Sequence, residues 1–314
     1  MARAAPHGEG SVTPTIWLAS YPKSGNTWFR MLLSNLYSKD GKPIDINDLP
    51  IRGIASSRRS FDYMSLIESG LLTLDEADCL RPRIYEELAK GALDEEYDAR
   101  ADGIPIRFVK VHDAYTLTLR REPLLAGRHA AEGAIVIVRD PRDVASSLAN
   151  HNGSSIDDVI SLMNDDQSAY CVKTNRQHSQ LRQKLLGWSG HIASWLDQTD
   201  IPVHLIRYED LQADTIGAFR DALVFAGRSA SDEAIRRAVD RAAFAELRRQ
   251  EADKGFAEKP HRSGEGLFFR RGEVGAWRDE LTPEQVARIE AEHATIMQGL
   301  GYELGAAVPI ARIA

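Results

Sequence analysis

The octapeptide Tyr21-Pro22-Lys23-Ser24-Gly25-Asn26-Thr27-Trp28 lies between an apolar run, Thr15–Ser20, and a segment in which Trp28, Met31, Leu32 and Leu36 recur at threes and fours. Strand, tight turn and helix together make an anion site. The first N–H groups of a helix lack intrahelical acceptors, and the helix dipole favours negative charge beside them. Here the N–H groups of Ser24 to Trp28 would stand at that position, Gly25 would let the backbone approach closely, Thr27 would add a hydroxyl and Lys23 a full positive charge. The turn differs from the P-loop of nucleoside triphosphatases, which ends Gly-Lys-Ser/Thr. In this chain the lysine precedes the glycine, and the hydroxyl that follows it, Ser24, lies before that glycine and not after a lysine at the loop's end, where a P-loop hydroxyl holds Mg²⁺.

Two further groups fit anion chemistry. The apolar run Ala134–Val138 is followed by Arg139-Asp140-Pro141-Arg142-Asp143, and Ser147 lies eight residues beyond Arg139, about two turns into the next helix. A strand-end arginine converging with a serine hydroxyl makes a phosphate clamp. The third run, Ile106–Val111, ends in Lys110-Val111-His112. A neutral imidazole with a pKa near working pH suits proton abstraction. Taken singly, the arginine motif reads equally well as a surface turn with ion pairs, and the histidine as a structural strand-end residue.

Tyr-Pro-Lys-Ser-Gly-Asn-Thr-Trp resembles the donor loop of sulfotransferases that use PAPS (3′-phosphoadenosine-5′-phosphosulfate). Other segments extend the resemblance: Lys110-x-His112, the Arg139/Ser147 pair, Tyr208-Glu209-Asp210, and Phe269-Arg270-Arg271-Gly272-Glu273-Val274-Gly275-Ala276-Trp277. It implies a three-layer, P-loop-like α/β fold: a central parallel sheet flanked by helices, with helical excursions forming the acceptor site. It implies that Lys23, Ser24, Gly25, Asn26, Thr27 and Trp28 hold the 5′-phosphosulfate, with Lys23 stabilising the leaving phosphate. Lys110 would lie near the transferring group and His112 would be the base. Arg139, Ser147, Arg270, Arg271 and the Gly272 backbone would surround the 3′-phosphate, with Tyr208 and Phe244 on the adenine side. The product would be PAP (3′,5′-adenosine bisphosphate), with no metal required.

The chain departs from the family pattern at three positions. Ala243 stands where a serine on the 3′-phosphate is expected, leaving Arg248 as a candidate to compensate. Arg271 replaces a lysine, and Ala276 replaces an acidic residue. The loop wording Ala19-Ser20-Tyr21-Pro22-Lys23 resembles the bacterial branch, whose members modify phenols or alcohols of natural products, including glycopeptide antibiotics. A small phenol or alcohol, or an amine, is the expected acceptor. Two other functions stay open: a P-loop kinase using ATP, and a catalytically inactive nucleotide-binding protein on the same fold.

The elements that must position these groups are legible in outline. Thr15–Ser20, Ile106–Val111, Ala134–Val138 and Val203–Arg207 read as buried strands, with helical patterns between them, which argues for a parallel sheet. Ile216, Phe219, Leu223 and Val224 mark the inward face of one helix, closed by Gly227. Residues 40–104 and 152–200 read as helical excursions over the open end of the sheet, and Glu251–Gly275 as a long functional loop whose part 251–268 would meet the acceptor. Residues 1–13 read as a flexible lead, 14–304 as a single domain and 305–314 as a tail.

The 314 residues are 43% hydrophobic and 27% charged, enough for a sizeable core. The 39 basic against 46 acidic residues give a net charge of −7, which offers no global field for nucleic acid or an acidic membrane. Cys79 and Cys171 are too few for a disulfide framework or a zinc site, and the expectation is a cytoplasmic protein with reduced thiols. No dimer motif is recognisable after Trp277, so oligomeric state stays open.

Overall fold

The computed structural model describes residues 14–38, 42–51, 53–90, 106–259 and 266–305. The proposed lead 1–13 and all of the proposed tail beyond residue 305 lie outside them. Four strands, β1 (Thr15–Ser20), β2 (Arg107–Val111), β3 (Gly133–Val138) and β6 (Val203–Arg207), form one parallel sheet in the order β2-β1-β3-β6. All six residues of β1 and of β3 are buried, as befits central parallel strands covered on both faces.

Alternate side chains of each strand enter two separate cores. Trp17, Ala19, Val111, Val136 and Val138 pack on one face with α3 (Leu74–Lys90), α4 (Pro141–Asn152), α5 (Ile156–Met163), α6 (Trp188–Asp197) and α11 (Pro283–Gly299). Ile16, Leu18, Phe108, Ile135, Ile137 and Ile206 pack on the other. Their partners there are α1 (Asn26–Leu36), α7 (Tyr208–Ala213), α8 (Thr215–Phe225), α9 (Asp232–Arg241) and α10 (Phe244–Lys254). The result is the expected three-layer arrangement. After β1 the chain crosses to β2 on one side and returns to β3 on the other. The loops after β1 and β3 therefore flank a topological switch point, where open parallel sheets bind ligands.

The elements differ from expectation in several places. The stretch from Glu251 is helical to Lys254 because α10 runs to a Gly255 with φ 74°; irregular chain begins only there, and residues 260–265 lie outside those described. Val224 is 66% exposed and off the buried face of α8, whose core contacts are Phe219, Ala222 and Leu223. Residues 40–104 supply α2 (Arg58–Ser65) and α3. Residues 152–200 supply α5 and α6, and between them a two-stranded antiparallel ladder, β4 (Ala169–Tyr170) with β5 (Gln183–Lys184), that the polar composition did not announce. Helix α11 opens with a capping box between Thr282 and Gln285 and Pro283 at its first position. No helix among the described residues is long and apolar enough to cross a membrane.

Candidate active site

A cleft of about 640 Å³ opens at the carboxyl ends of the strands. Its floor is the turn between β1 and α1. The Ser24 N–H donates to the Tyr21 carbonyl at 3.3 Å, and Lys23 and Gly25 take positive φ of 70° and 104°, so the chain reverses into α1 at Asn26. This corrects the expected N–H array. The Ser24 N–H is used within the turn, its side chain is fully buried, and it does not line the cleft, whereas Gly25, Asn26, Thr27 and Trp28 do. Gly25 is required twice over: its φ is left-handed, and a Cβ there would lie 2.6 Å from the Tyr208 ring. Asn26 braces the end of β1, with Nδ2 donating to the Leu18 carbonyl at 2.8 Å and to Ser20 Oγ at 3.3 Å. Trp28 Nε1 donates to the Ala242 carbonyl at 2.9 Å and ties α1 to the start of α10.

Lys23 Nζ lies 3.3 Å from the centroid of the Phe268 ring. Burial, then Lys110 and Arg139, lower its pKa to about 7, against smaller opposing effects of Glu251 and Glu258. A lysine held in that way gains most from an arriving anion.

The clamp beyond β3 is assembled from distant segments. Arg139 Nη2 donates to the Glu273 carbonyl at 2.9 Å, its guanidinium lies 4.5 Å from the Tyr208 ring centroid, and its buried Nε has no partner among the described residues. Tyr208 Oη donates to the Gly272 carbonyl at 2.7 Å, so this tyrosine supports both Arg139 and the Gly25 turn. Gly272, at φ 66°, leaves room for Phe244, whose ring would be 2.4 Å from a Cβ there. Ser147, Phe244, Arg270, Arg271 and Gly272 all line the cleft with Arg139. Arg270 is already held by Glu280 through two contacts of 2.6 and 2.7 Å. Arg271 pairs with Glu273, Asp279 and Glu280. Arg248, the candidate to compensate for Ala243, is exposed and does not line the cleft.

Asp143, read in the sequence as part of a charged turn, is the buried fastener of this wall. Its carboxylate accepts the Gly275 N–H at 2.7 Å and the Trp277 N–H at 2.9 Å, which pins the C-terminal segment onto α4. Arg142 stacks 4.2 Å from the Trp277 ring and joins Asp140 to Glu290, at 2.7 and 2.6 Å.

On the opposite side, His112 Nδ1–H donates to the Ser20 carbonyl at 2.8 Å, which fixes the tautomer and leaves Nε2 with the lone pair. Burial, then the Lys110 charge, hold its pKa well below the ordinary histidine value, so the ring is neutral at physiological pH. Lys110 Nζ lies 3.4 Å from Glu258, whose carboxylate also takes Arg30 at 2.9 Å. Burial opposes ionisation of Glu258, yet Lys110 and Arg30 outweigh it and hold the carboxyl at about 2. Asp113, next to the histidine, is gripped by the buried Arg81 of α3 at 2.7 Å and accepts the Lys184 N–H at 3.0 Å. Ile54, Tyr170, Ser179, Gln180, Gln183 and Lys259 complete this half of the cleft with His151, which Phe268 contacts edge-on at 5.7 Å. Among the described residues no group of three or more His, Cys, Asp or Glu is placed to hold a metal ion.

The cleft therefore joins two sets of cations, at Lys23 and at Arg139/Arg270/Arg271, to a neutral imidazole, a layout for a doubly anionic donor and an acceptor that loses a proton. Residues 128–301 match the family model described as the sulfotransferase domain. The chain is 23% identical over 297 residues to cytosolic sulfotransferase 17 of Arabidopsis thaliana, covering 91% of this chain and 75% of the relative. To mouse (Mus musculus) sulfotransferase 2B1 it is 25% identical over 299 residues, covering 91% and 72%. A retinol dehydratase crystallised with androsterone and inactive cofactor PAP is similar with a TM-score of 0.55 at 20% identity, covering 96% of this chain and 84% of the other. A mouse sulfotransferase complexed with PAP is similar at 0.52 and 19%, covering 91% and 84%. These structures share the P-loop-like sulfotransferase fold. With a domain match over more than half its length, this chain belongs to the PAPS-dependent sulfotransferase family and is an enzyme of that class.

Proposed function

We propose that the protein transfers the sulfuryl group of PAPS to a hydroxyl, or an amine, of a small-molecule acceptor, with His112 as base and Lys23 stabilising the leaving 5′-phosphate. The observation that carries this reading is the convergence in one cleft of Lys23 at the β1–α1 turn, the Arg139/Ser147/Arg270/Arg271 group and a His112 whose Nε2 is free to accept a proton. The retinol dehydratase and the mouse sulfotransferase that share this fold hold PAP. The residues fit such a donor: Gly25, Asn26, Thr27 and Trp28 line the cleft at the start of α1, Arg139 lines the same cleft, and its buried Nε has no partner among the described residues.

In this mechanism the acceptor oxygen attacks sulfur in line as its proton passes to His112 Nε2, and the bond from sulfur to the bridging phosphate oxygen breaks. Lys23 meets the charge left on that oxygen. Lys110, kept near the reacting atoms by Glu258, screens the transferring sulfonate. A sulfuryl group carries less charge than a phosphoryl group, so the reading requires no metal. Expected acceptors are phenols or alcohols, including natural products of the kind modified by the bacterial branch, and the expected location is cytoplasmic, as the name of the Arabidopsis relative supports.

The test uses labelled PAPS and a panel of phenols, alcohols and amines in EDTA. Wild-type protein yields labelled product, while His112→Ala loses about 10²–10⁴-fold in turnover yet is still stabilised by PAP in thermal melting. Stabilisation by ATP·Mg²⁺ but not by PAP would mean that the kinase reading is right instead. PAP binding without transfer to any acceptor would favour the inactive binding protein.

A further inference from the structure

Glu280 follows the short 3₁₀ turn Ala276–Asp279, its N–H donating to the Trp277 carbonyl at 3.1 Å, and its side chain is 15% exposed. Its two carboxylate oxygens take the two terminal nitrogens of Arg270 at 2.6 and 2.7 Å, and Arg271 Nη1 reaches Oε1 at 3.2 Å. A guanidinium makes this two-point fork equally with a carboxylate or a phosphate. Arg270 and Arg271 line the same cleft as Arg139 and Ser147. Asp143 fixes the backbone at Gly275 and Trp277, so the acid is held close to the arginines at high effective concentration.

We propose that Glu280 is an intramolecular competitor for the 3′-phosphate of the donor: it occupies Arg270 in the free enzyme and must give it up when the nucleotide binds. The proposal rests on the reading of this cleft as a PAPS site. It accounts for an otherwise awkward arrangement, in which two arginines aimed at an anion are surrounded by Glu273, Asp279 and Glu280. Its kinetic consequence is faster release of PAP, because the carboxylate recaptures Arg270 as the phosphate leaves. The internal pair is remade in each catalytic cycle.

The experiment compares PAP with 5′-AMP, which lacks the 3′-phosphate, by calorimetry on the full chain. Glu280→Gln keeps the size of the side chain but removes its charge and replaces one of the two oxygens that accept from Arg270 with an NH2 donor. The expected result is PAP binding about 10-fold tighter than to wild type, the scale of one partly buried charge pair, with AMP changed by less than about 2-fold. In an Arg270→Ala background the gain disappears. Equal or weaker PAP binding by Glu280→Gln would overturn the proposal and make Glu280 a support for Arg270, as would an equal gain for AMP. Should Glu280→Gln fail to fold, Glu280→Asp, which draws the carboxylate back from Arg270, is expected to tighten PAP relative to AMP; no gain would count against the proposal. A wild-type protein that binds AMP but not PAP refutes the donor reading itself, and the competitor with it.

Discussion

Lys23 is the residue on which binding and chemistry meet. Its flanking loop is recognisable in sequence, but its electrostatic state is set by groups far along the chain: Lys110, Arg139, Glu251 and Glu258. In the free protein burial, then Lys110 and Arg139, bring its pKa down to about 7, so that the amine titrates within the working pH range. A phosphate anion against the ammonium favours the charged form and raises that pKa. Binding therefore takes up a proton, and the affinity for PAP falls as pH rises above about 7, by up to about one decade per pH unit until the pKa of the complex is reached. The phosphates of PAP, with a second pKa of about 6, complete their ionisation just above pH 7, so the slope is read between about pH 7.5 and 9, where they add little of their own. Calorimetry between pH 6 and 9, in buffers of different ionisation enthalpy, reads both the slope and the proton uptake. A flat profile above pH 7 would show that no lysine with a depressed pKa takes up a proton when the donor binds. His112 works in the opposite sense. Its pKa is depressed, so it is neutral over this whole range and turnover is not lost through it until the pH falls well below 6.5.

At the scale of elements, the wall around the donor end is built by a helix start and a pinned segment. Ala243, at φ −56° and ψ 136°, is the residue that caps the start of α10 at Phe244, but no side chain caps the helix. Ala243→Ser supplies a hydroxyl that can accept the Ala245 N–H, since the Glu246 N–H already donates to the Ala243 carbonyl at 2.9 Å, and is worth about 0.5–2 kcal/mol of stability, measured by urea denaturation. The same hydroxyl stands beside Phe244 at the cleft and is expected to tighten PAP relative to AMP in calorimetry. A gain in stability without a gain in PAP affinity would place the 3′-phosphate away from this helix start.

What could be read in advance at this scale follows from the range of the signal. Strands β1, β3 and β6 and the turn at Gly25 are local patterns, and the apolar runs give the bounds of β1 and β6 and, to within one residue, of β3. Asp143 bonding Gly275 and Trp277, Glu258 bonding Arg30 and Lys110, and Glu280 holding Arg270 depend on which segments the fold brings together. An acidic residue in a charged stretch looks the same whether it is solvated or fastening a wall. The last turn of α10, Glu251–Lys254, reads as loop for a related reason. The helix exposes most of its charged residues and buries only Leu247, Gln250 and Glu251, too weak an apolar stripe to outweigh a composition that reads as loop.

Across the whole molecule, the two halves of the cleft hang on separate buried charge networks. The donor wall is fastened through Asp143, Arg142, Asp140 and Glu290. The acceptor wall is fastened through Arg81, which grips Asp113 and Asp78 and donates from Nε to the Tyr85 hydroxyl oxygen at 2.9 Å, while Asp113 and Ala114 are stitched to Lys184. Arg81, Asp78 and Asp113 are all buried, so removing one partner strands a charge away from water. Asp113→Ala is expected to cost about 3–5 kcal/mol of folding stability, measured by chemical denaturation. Because, among the described residues, the contacts of Arg81, Asp78 and Asp113 reach none of Arg139, Ser147, Arg270 and Arg271, PAP affinity should stay within about 2-fold of wild type under conditions where the variant is folded. The KM for the acceptor should rise, since β5 and the residues around Gln183 lose their anchor beside His112. A PAP affinity that falls together with acceptor binding would show that the walls move as one body, and that the sheet couples the two sites.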